Sequence, residues 1–249
     1  MLFREKAIIP LDSVDSTNNY AASLLKLSRP PEGTVITALE QTAGRGQRGA
    51  VWQSEKGENL LFSMILYPPF STPEDLFSLS ECVSLALSDL LIDLSEKDAW
   101  IKWPNDLVIE HHKVSGMLVE YTWADNRVQS AIVGIGVNLN QRHFDWPNAS
   151  SLYALTGKRL DRIHVLEQLT DRIERYYIRL HSGNRAALHQ EYCSRLYRIN
   201  EPSQFLLGEE EITATITGVS LTGKLQLVAE DGRHLTCDLK EISLRYPRG

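Results

Sequence analysis

Cysteine is scarce: Cys82, Cys193 and Cys237 are the whole complement, far apart and without a C-x-x-C pair. Spacing therefore offers neither a disulfide framework nor a zinc cluster, and a reducing cytoplasm is the expected compartment. Long apolar runs are missing as well. No stretch approaches the ~18 to 20 apolar residues that cross a bilayer, and "MLFREKAIIP" lacks an apolar core followed by a small-residue cleavage site. Neither membrane insertion nor secretion is expected. Positive charge is not in excess: 26 Lys plus Arg face 32 Asp plus Glu, a net charge of −6. That balance speaks against general nucleic-acid or membrane-surface binding and makes any anion site local. The few histidines are scattered without metal-ligand spacing. Neither internal repeats nor low-complexity segments occur.

What is present is a chain of 249 residues, 43% of them hydrophobic, enough for one large domain or a domain with a small appendage. "DSTNNYAASLLKL" (15–27) reads as a helix with Ser16 or Thr17 as N-cap candidate. "GTVITALEQ" (33–41) and "NLLFSMILY" (59–67) read as strands. "STPEDLFSLSECVSLALSDLLIDL" (71–94) has hydroxyl caps at Ser71 and Thr72, Pro73 in the first turn, Glu74 and Asp75 near the positive end, then sustained apolar residues, the signature of a helix. Runs at 99–103, 106–110, 113–123 and 128–140 predict four strands in an antiparallel meander. Two helices are expected over 162–180 and 184–197. Beyond Asn200-Glu201-Pro202 four short alternating runs imply a small barrel or sandwich of about 50 residues. The expected division is 1–199 and 200–249.

Gly44-Arg45-Gly46-Gln47-Arg48-Gly49 satisfies G-x-G-x-x-G, but a dinucleotide fold requires a helix immediately afterwards. Here "AVWQSEKGENLLFSMILY" follows: a tryptophan, a polar turn and a strand. A P-loop is excluded too, since no Gly-Lys-Ser or Gly-Lys-Thr is present. What remains is a glycine loop with two arginines, able to order around an anion or to stand as a solvated turn. In "KWPNDLVIEHHKVSGMLVE" (102–120), Pro104 ends a strand and presents Asn105 and Asp106 at a turn. Lys113 opens the next strand, and Gly116 permits close approach. His111 and His112, neighbours at a hairpin tip, make a poor metal pair. "VGIGVNLN" (133–140) carries Gly134 and Gly136 inside a strand, where either a neighbouring group or a flat ligand could fill the space.

In order, "DSTNNY", "EQTAGRGQRGAVW", "KWPNDLVIEHHKVSGMLVE" and "GIGVNLN" resemble the biotin–protein ligase family, over about residues 8–140 by motif. The resemblance implies an α+β fold: a catalytic domain related to class II aminoacyl-tRNA synthetases, with a mixed sheet and helices on one side, then a small SH3-like barrel. It also implies that biotin and ATP, with substrate-bound Mg²⁺, form biotinyl-5'-adenylate, and that the biotinyl group passes to a lysine of a biotin carboxyl carrier domain. Lys113 and Arg45 match the cations that meet carboxylate and phosphate, with Asp106 a third catalytic candidate. Ser16, Thr17, Asn18 and Gln41 match the surroundings of the biotin head group, and Gly46, Gln47 and Gly116 complete the biotin set. Gly44, Arg48, Trp52, Asn105 and Asn138 match the nucleotide side, Trp52 as a cover for adenine. Metal, ribose and structural roles stay open for Asn105 and Asp106, and no metal ligand is assigned.

Many family members have arginine where Gln47 stands, a departure that bears on how tightly the loop retains the adenylate. Some carry an N-terminal winged helix that binds DNA, which is not expected ahead of a "DSTNNY" segment that begins at residue 15. Members commonly dimerise through the central sheet, so a homodimer is implied. Three other readings compete. A lipoate–protein ligase or octanoyltransferase would need an Arg-Arg-x-Ser-Gly-Gly-type segment or a cysteine beside the motif turns. A biotin-sensing regulator would have no use for Lys113. A dead carrier-binding module would leave the loop arginines without purpose.

Overall fold

Alternation along the central strands decides how the sheet is dressed. In β3 (Leu60–Leu66), Leu60, Phe62, Met64 and Leu66 join the main core, while Ile65 belongs to a second, smaller one and Ser63 lies buried. Side chains of a strand point to opposite faces in turn, so both faces of this sheet are covered. The computed structural model describes residues 2–3, 7–69, 72–125 and 127–245; Ser71 and the side chains of Arg48 and Glu74 lie outside the described residues.

The sheet has seven strands in the order β1-β2-β3-β7-β6-β5-β4. β1 (Ile8–Val14) pairs in parallel with β2 (Val35–Gln41) across the helix α1 (Thr17–Leu27), and every other pairing is antiparallel. The expected meander is β4 (Trp100–Lys102), β5 (Asp106–Ile109), β6 (His112–Ala124) and β7 (Arg127–Val137). Glu110 and His111, at φ 49° and 74°, make the left-handed turn that closes the β5–β6 hairpin. His111 hydrogen-bonds the Tyr197 hydroxyl at 2.6 Å, a structural use for that imidazole.

Helices α2 (Pro73–Ser95) and α4 (Arg162–His181) cover one face, with α5 (Arg185–Ser194) packed on α2; the short α3 (Leu152–Thr156) was not anticipated. The expectation of helices on one side needs correction. α1 lies on the opposite face, where Ala21 meets Ile36, Ile65 and Ile132. Its N-cap position is Ser16, as expected, but that side chain makes no capping hydrogen bond.

The C-terminal region forms a separate five-stranded antiparallel sheet in the order β11-β10-β9-β8-β12, consistent with an SH3-like domain. Its strands are β8 (Pro202–Leu207), β9 (Glu210–Val219), β10 (Leu225–Ala229), β11 (His234–Cys237) and β12 (Ile242–Leu244). Residues 195–200 join the two sheets. Ile101 N donates to Arg195 O at 2.8 Å, Tyr197 N to Ile101 O at 2.8 Å, and Asn200 N to Ile216 O at 3.0 Å. Among the described residues no helix is long and apolar enough to cross a membrane.

Candidate active site

On the face that α2 and α4 leave uncovered, the same period of two aligns Gly116 and Glu120 of β6, Gly134 and Gly136 of β7, and Ser63 of β3, small and polar residues with Leu118 among them. The glycines make room for specific groups. A Cβ on Gly134 would lie 2.2 Å from Asn18 Oδ1, and one on Gly136 would lie 2.4 Å from Cε2 of Trp52. Real side chains do not approach so closely, so the Asn18 amide and the Trp52 indole both rest on bare backbone.

Asn18, at the start of α1, is held from two directions. Its Nδ2 donates to Glu120 Oε2 at 2.8 Å, and its Oδ1 lies 2.6 Å from Ser63 Oγ. Ser63 Oγ is also 2.7 Å from Thr17 Oγ1. Gln41 Oε1 accepts from Thr17 N at 2.8 Å and from Thr17 Oγ1 at 3.0 Å, which turns its Nε2 away as a donor. Thr17, Asn18 and Gln41 line a cavity of about 230 Å³ with Arg45, Gly46, Gln47, Asn105, Asp106 and Lys113, while Ser63 and Glu120 hold Asn18 from behind.

The glycine loop is folded over that cavity. Trp52 N donates to Gly44 O at 2.9 Å and Gly46 N to Ala50 O at 2.7 Å, with a 3-10 turn at Gln47–Gly49. Arg45 reaches back to β6, where its guanidinium meets Glu120 at 2.6 and 3.1 Å and Asn19 Oδ1 at 2.9 Å. The cis peptide Trp103–Pro104 begins the turn that presents Asn105 and Asp106. Asn105 Nδ2 donates to Met117 O at 2.7 Å, and Met117 N returns a bond to Asn105 O at 3.0 Å. Lys113 Nζ is 2.6 Å from Asp106 Oδ1, an ion pair by distance in which that oxygen makes no hydrogen bond of good angle.

A second cavity of about 640 Å³ adjoins the first through Ala50, Val51, Trp52 and Lys113. Residues 53–55, Gln141 and 143–149 line it with Lys102 and Asn138. Trp52 Nε1, Ser54 Oγ and Asn138 Oδ1 are buried without a hydrogen-bond partner and belong to residues lining these cavities, where Asp106 Oδ1 has only its ion pair with Lys113; His112 Nδ1 and the Tyr192 hydroxyl are the other such atoms among the described residues. A buried polar atom left unpaired costs about 1–3 kcal/mol, so the three that line the cavities point to a ligand there.

The two cavities thus bring together Ser16, Thr17, Asn18, Gln41, Arg45, Gly46, Gln47, Trp52, Asn105, Asp106, Lys113, Gly116 and Asn138. Gly44 stands apart from both and lines a third cavity on the outer side of the loop. Sequence reasoning missed Ser63, Glu120, Gln141 and the aromatic pair Phe144 and Trp146. The last pair had a readable signal, two aromatics in a polar loop directly after Asn138.

Residues 11–138 match the biotin/lipoate A/B protein ligase family. The chain belongs to that family. Biotin–[acetyl-CoA-carboxylase] ligase of Paracoccus denitrificans is 32% identical over 234 residues, 90% of this chain and 95% of that protein. Bifunctional ligase/repressor BirA of Bacillus spizizenii is 34% identical over 178 residues, 68% of this chain and 53% of that one; the chain spans about half the length of this relative. Among solved structures of the family, biotin protein ligase from Aquifex aeolicus in complex with biotin and ATP superposes with a TM-score of 0.79 at 33% identity, covering 96% of this chain and 99% of that one.

Proposed function

We propose that the chain is an ATP-dependent biotin–protein ligase, which activates biotin as biotinyl-5'-adenylate and then biotinylates a lysine of a biotin carboxyl carrier domain. The observation that carries this reading is the pair of adjoining cavities with Lys113 at their junction. One cavity ends in neutral hydrogen-bonding groups, and the other offers lysines beside Phe144 and Trp146. A neutral ureido ring suits the first, an adenine with its phosphates the second, and the reacting carboxylate and α-phosphate then meet at Lys113.

The carboxylate oxygen of biotin attacks the α-phosphorus, and pyrophosphate leaves with the bonding electrons. Both reactants are anions, so Lys113 lowers the barrier by neutralising charge as it concentrates. Arg45 closes the loop over the product, a mixed anhydride that water would otherwise hydrolyse. The acceptor amine then attacks the acyl carbon and AMP departs. The donor set fits Mg²⁺ carried by ATP rather than a resident metal: Asp106 offers one carboxylate, and no group of three or more His, Cys, Asp or Glu that could hold a metal lies among the described residues. Mg²⁺ would supply charge neutralisation on the departing pyrophosphate, held from the protein side by Asp106.

Biotin is favoured over lipoate or octanoate because the ureido ring offers an acceptor to Nε2 of Gln41, whose Oε1 is already taken by Thr17, whereas an alkyl or dithiolane tail would give that donor nothing. A site built to hydrogen-bond its substrate rejects an analogue lacking the matching group by several kcal/mol. A cytoplasmic homodimer that binds neither DNA nor membrane accompanies this reading; three free cysteines and a net charge of −6 agree with it. ATP–pyrophosphate exchange with biotin, lipoate and octanoate tests it. Exchange with biotin alone, reduced at least 100-fold, about 2.7 kcal/mol, in Lys113→Ala, is the expected result. Exchange driven by lipoate would reassign the substrate, and no exchange with any acid would remove the ligase mechanism.

A further inference from the structure

One amide side chain joins both walls of the larger cavity. Gln141 is 6% exposed and follows directly on Asn140 after the β7 strand. Its Oε1 accepts from Glu55 N at 3.0 Å and from Asn59 Nδ2 at 2.5 Å, on the segment that descends from Trp52. Its Nε2 donates to His143 O at 2.6 Å, on the opposite wall. Its own carbonyl accepts from Ser151 Oγ at 2.6 Å, at the far end of that wall.

The anchor behind it is rigid. Asn59 is fully buried, its Oδ1 accepts from Leu139 N at 3.1 Å, and its carbonyl accepts from Arg162 Nε at 2.8 Å at the start of α4. The wall 141–149 is otherwise largely exposed, Trp146 at 66%. Its far end is pinned to β6, where Lys113 N donates to Asn148 O at 2.7 Å and Lys113 O accepts from Ser150 N at 3.0 Å, while the hydrogen bonds of Gln141 tie its near end to Glu55 and Asn59.

We propose that Gln141 is a positioning residue for the nucleotide half of the reaction, setting the spacing between segments 53–55 and 141–149. This rests on reading the 640 Å³ cavity as the ATP site. The amide chemistry is required because one wall needs an acceptor and the other a donor. Methionine in its place matches the length but leaves Glu55 N, Asn59 Nδ2 and His143 O without that partner. The loosened wall then no longer presents Phe144 and Trp146 at stacking distance from a base, while the biotin cavity, which Gln141 does not line, keeps its geometry.

The experiment is ATP–pyrophosphate exchange by the full chain and by Gln141→Met, together with trypsin cleavage after the exposed Arg142 in the ligand-free proteins. The expected result is a KM for ATP raised about tenfold, with KM for biotin and kcat at saturating ATP changed less than about twofold, and cleavage at Arg142 several-fold faster. An unchanged KM for ATP in a variant of an active enzyme overturns the proposal. So does an equal loss in both substrates with unchanged cleavage, which would mark a merely structural residue. If the parent protein exchanges with no acid, the ligase reading fails, and the Arg142 cleavage rate alone decides whether Gln141 holds the wall. Gln141→Asn, which keeps an amide but cannot span both partners, is expected to shift the same quantities and serves if the methionine variant does not fold.

Discussion

At the scale of single residues, the site depends on two hydrogen atoms where Gly134 and Gly136 have no side chain. Both glycines line the smaller cavity but each seats a different side chain, so alanine at each should fail differently. Gly134→Ala drives a methyl into the Asn18 amide, which the proposed function places at the biotin head group. Gly136→Ala drives it into the Trp52 indole, at the boundary of the nucleotide cavity. Overpacking of this kind costs about 1–3 kcal/mol, which is roughly 5- to 150-fold in affinity. Exchange kinetics should show the first variant with a raised KM for biotin and the second with a raised KM for ATP. Identical profiles would mean that the two glycines act only on sheet stability.

Sequence made these glycines legible as places of close approach but left their occupants open between a neighbouring group and a flat ligand. The structure fills both with side chains from other segments, Asn18 and Trp52. Ser63 and Glu120 were not legible for a related reason. A serine inside an apolar strand and a glutamate two residues beyond Leu118 read as ordinary strand residues. Only the pairing of β3, β7 and β6 sets Ser63 opposite Gly134, and Gly134 opposite Leu118, so that Glu120 reaches the same polar cluster.

At the scale of elements, the clearest start signal in the chain also carries the clearest energetic expectation. Thr72 caps α2 in a reciprocal box: its Oγ1 accepts from Asp75 N at 3.3 Å, and Asp75 Oδ2 accepts from Thr72 N at 3.1 Å. Asp75 is further tied to Arg185 of α5. Thr72→Ala should therefore cost about 1 kcal/mol, read as a lower urea midpoint with an unchanged m-value. No shift in midpoint would show that the Thr72 cap does not set the stability of the helix start. Strands were less readable where proline interrupts them. β1 contains Pro10 and β8 begins at Pro202, and no strand is expected from the sequence at either place. Proline is tolerated there because β1 is an edge strand and Pro202 is the first residue of its strand. The long runs of β3, β6 and β7, free of proline, were read correctly, as were α2 and α4 with their sustained apolar faces.

At the scale of the whole molecule, the helical layer meets the second sheet beside a buried acid. Glu81 of α2 is 1% exposed and lies 2.6 Å from His189 Nδ1 of α5, while the neighbouring Cys193 Sγ faces Val219 O of β9. Trp103 Nε1 adds a bond to Gly223 O at 2.9 Å across the same junction. Burial pushes the Glu81 carboxyl above its ordinary value of 4.5, and the hydrogen bond and charge of His189 only partly oppose this. Tyr192 and Cys193 add no negative charge beside it, since burial raises both of their pKa values and keeps them protonated and neutral. The sign follows from proton counting. Between pH 4.5 and the higher folded value the folded chain binds more of this proton than the unfolded chain does. Stability from this group is therefore complete below 4.5 and declines as pH rises through the folded pKa. Glu81→Gln removes that dependence while keeping an acceptor for His189. Urea midpoints of parent and variant across this range should converge or cross as pH rises, the variant gaining relative to the parent. Parallel curves would show that Glu81 ionises in the folded protein as it does in the unfolded one, and that His189 fully offsets the burial of the junction.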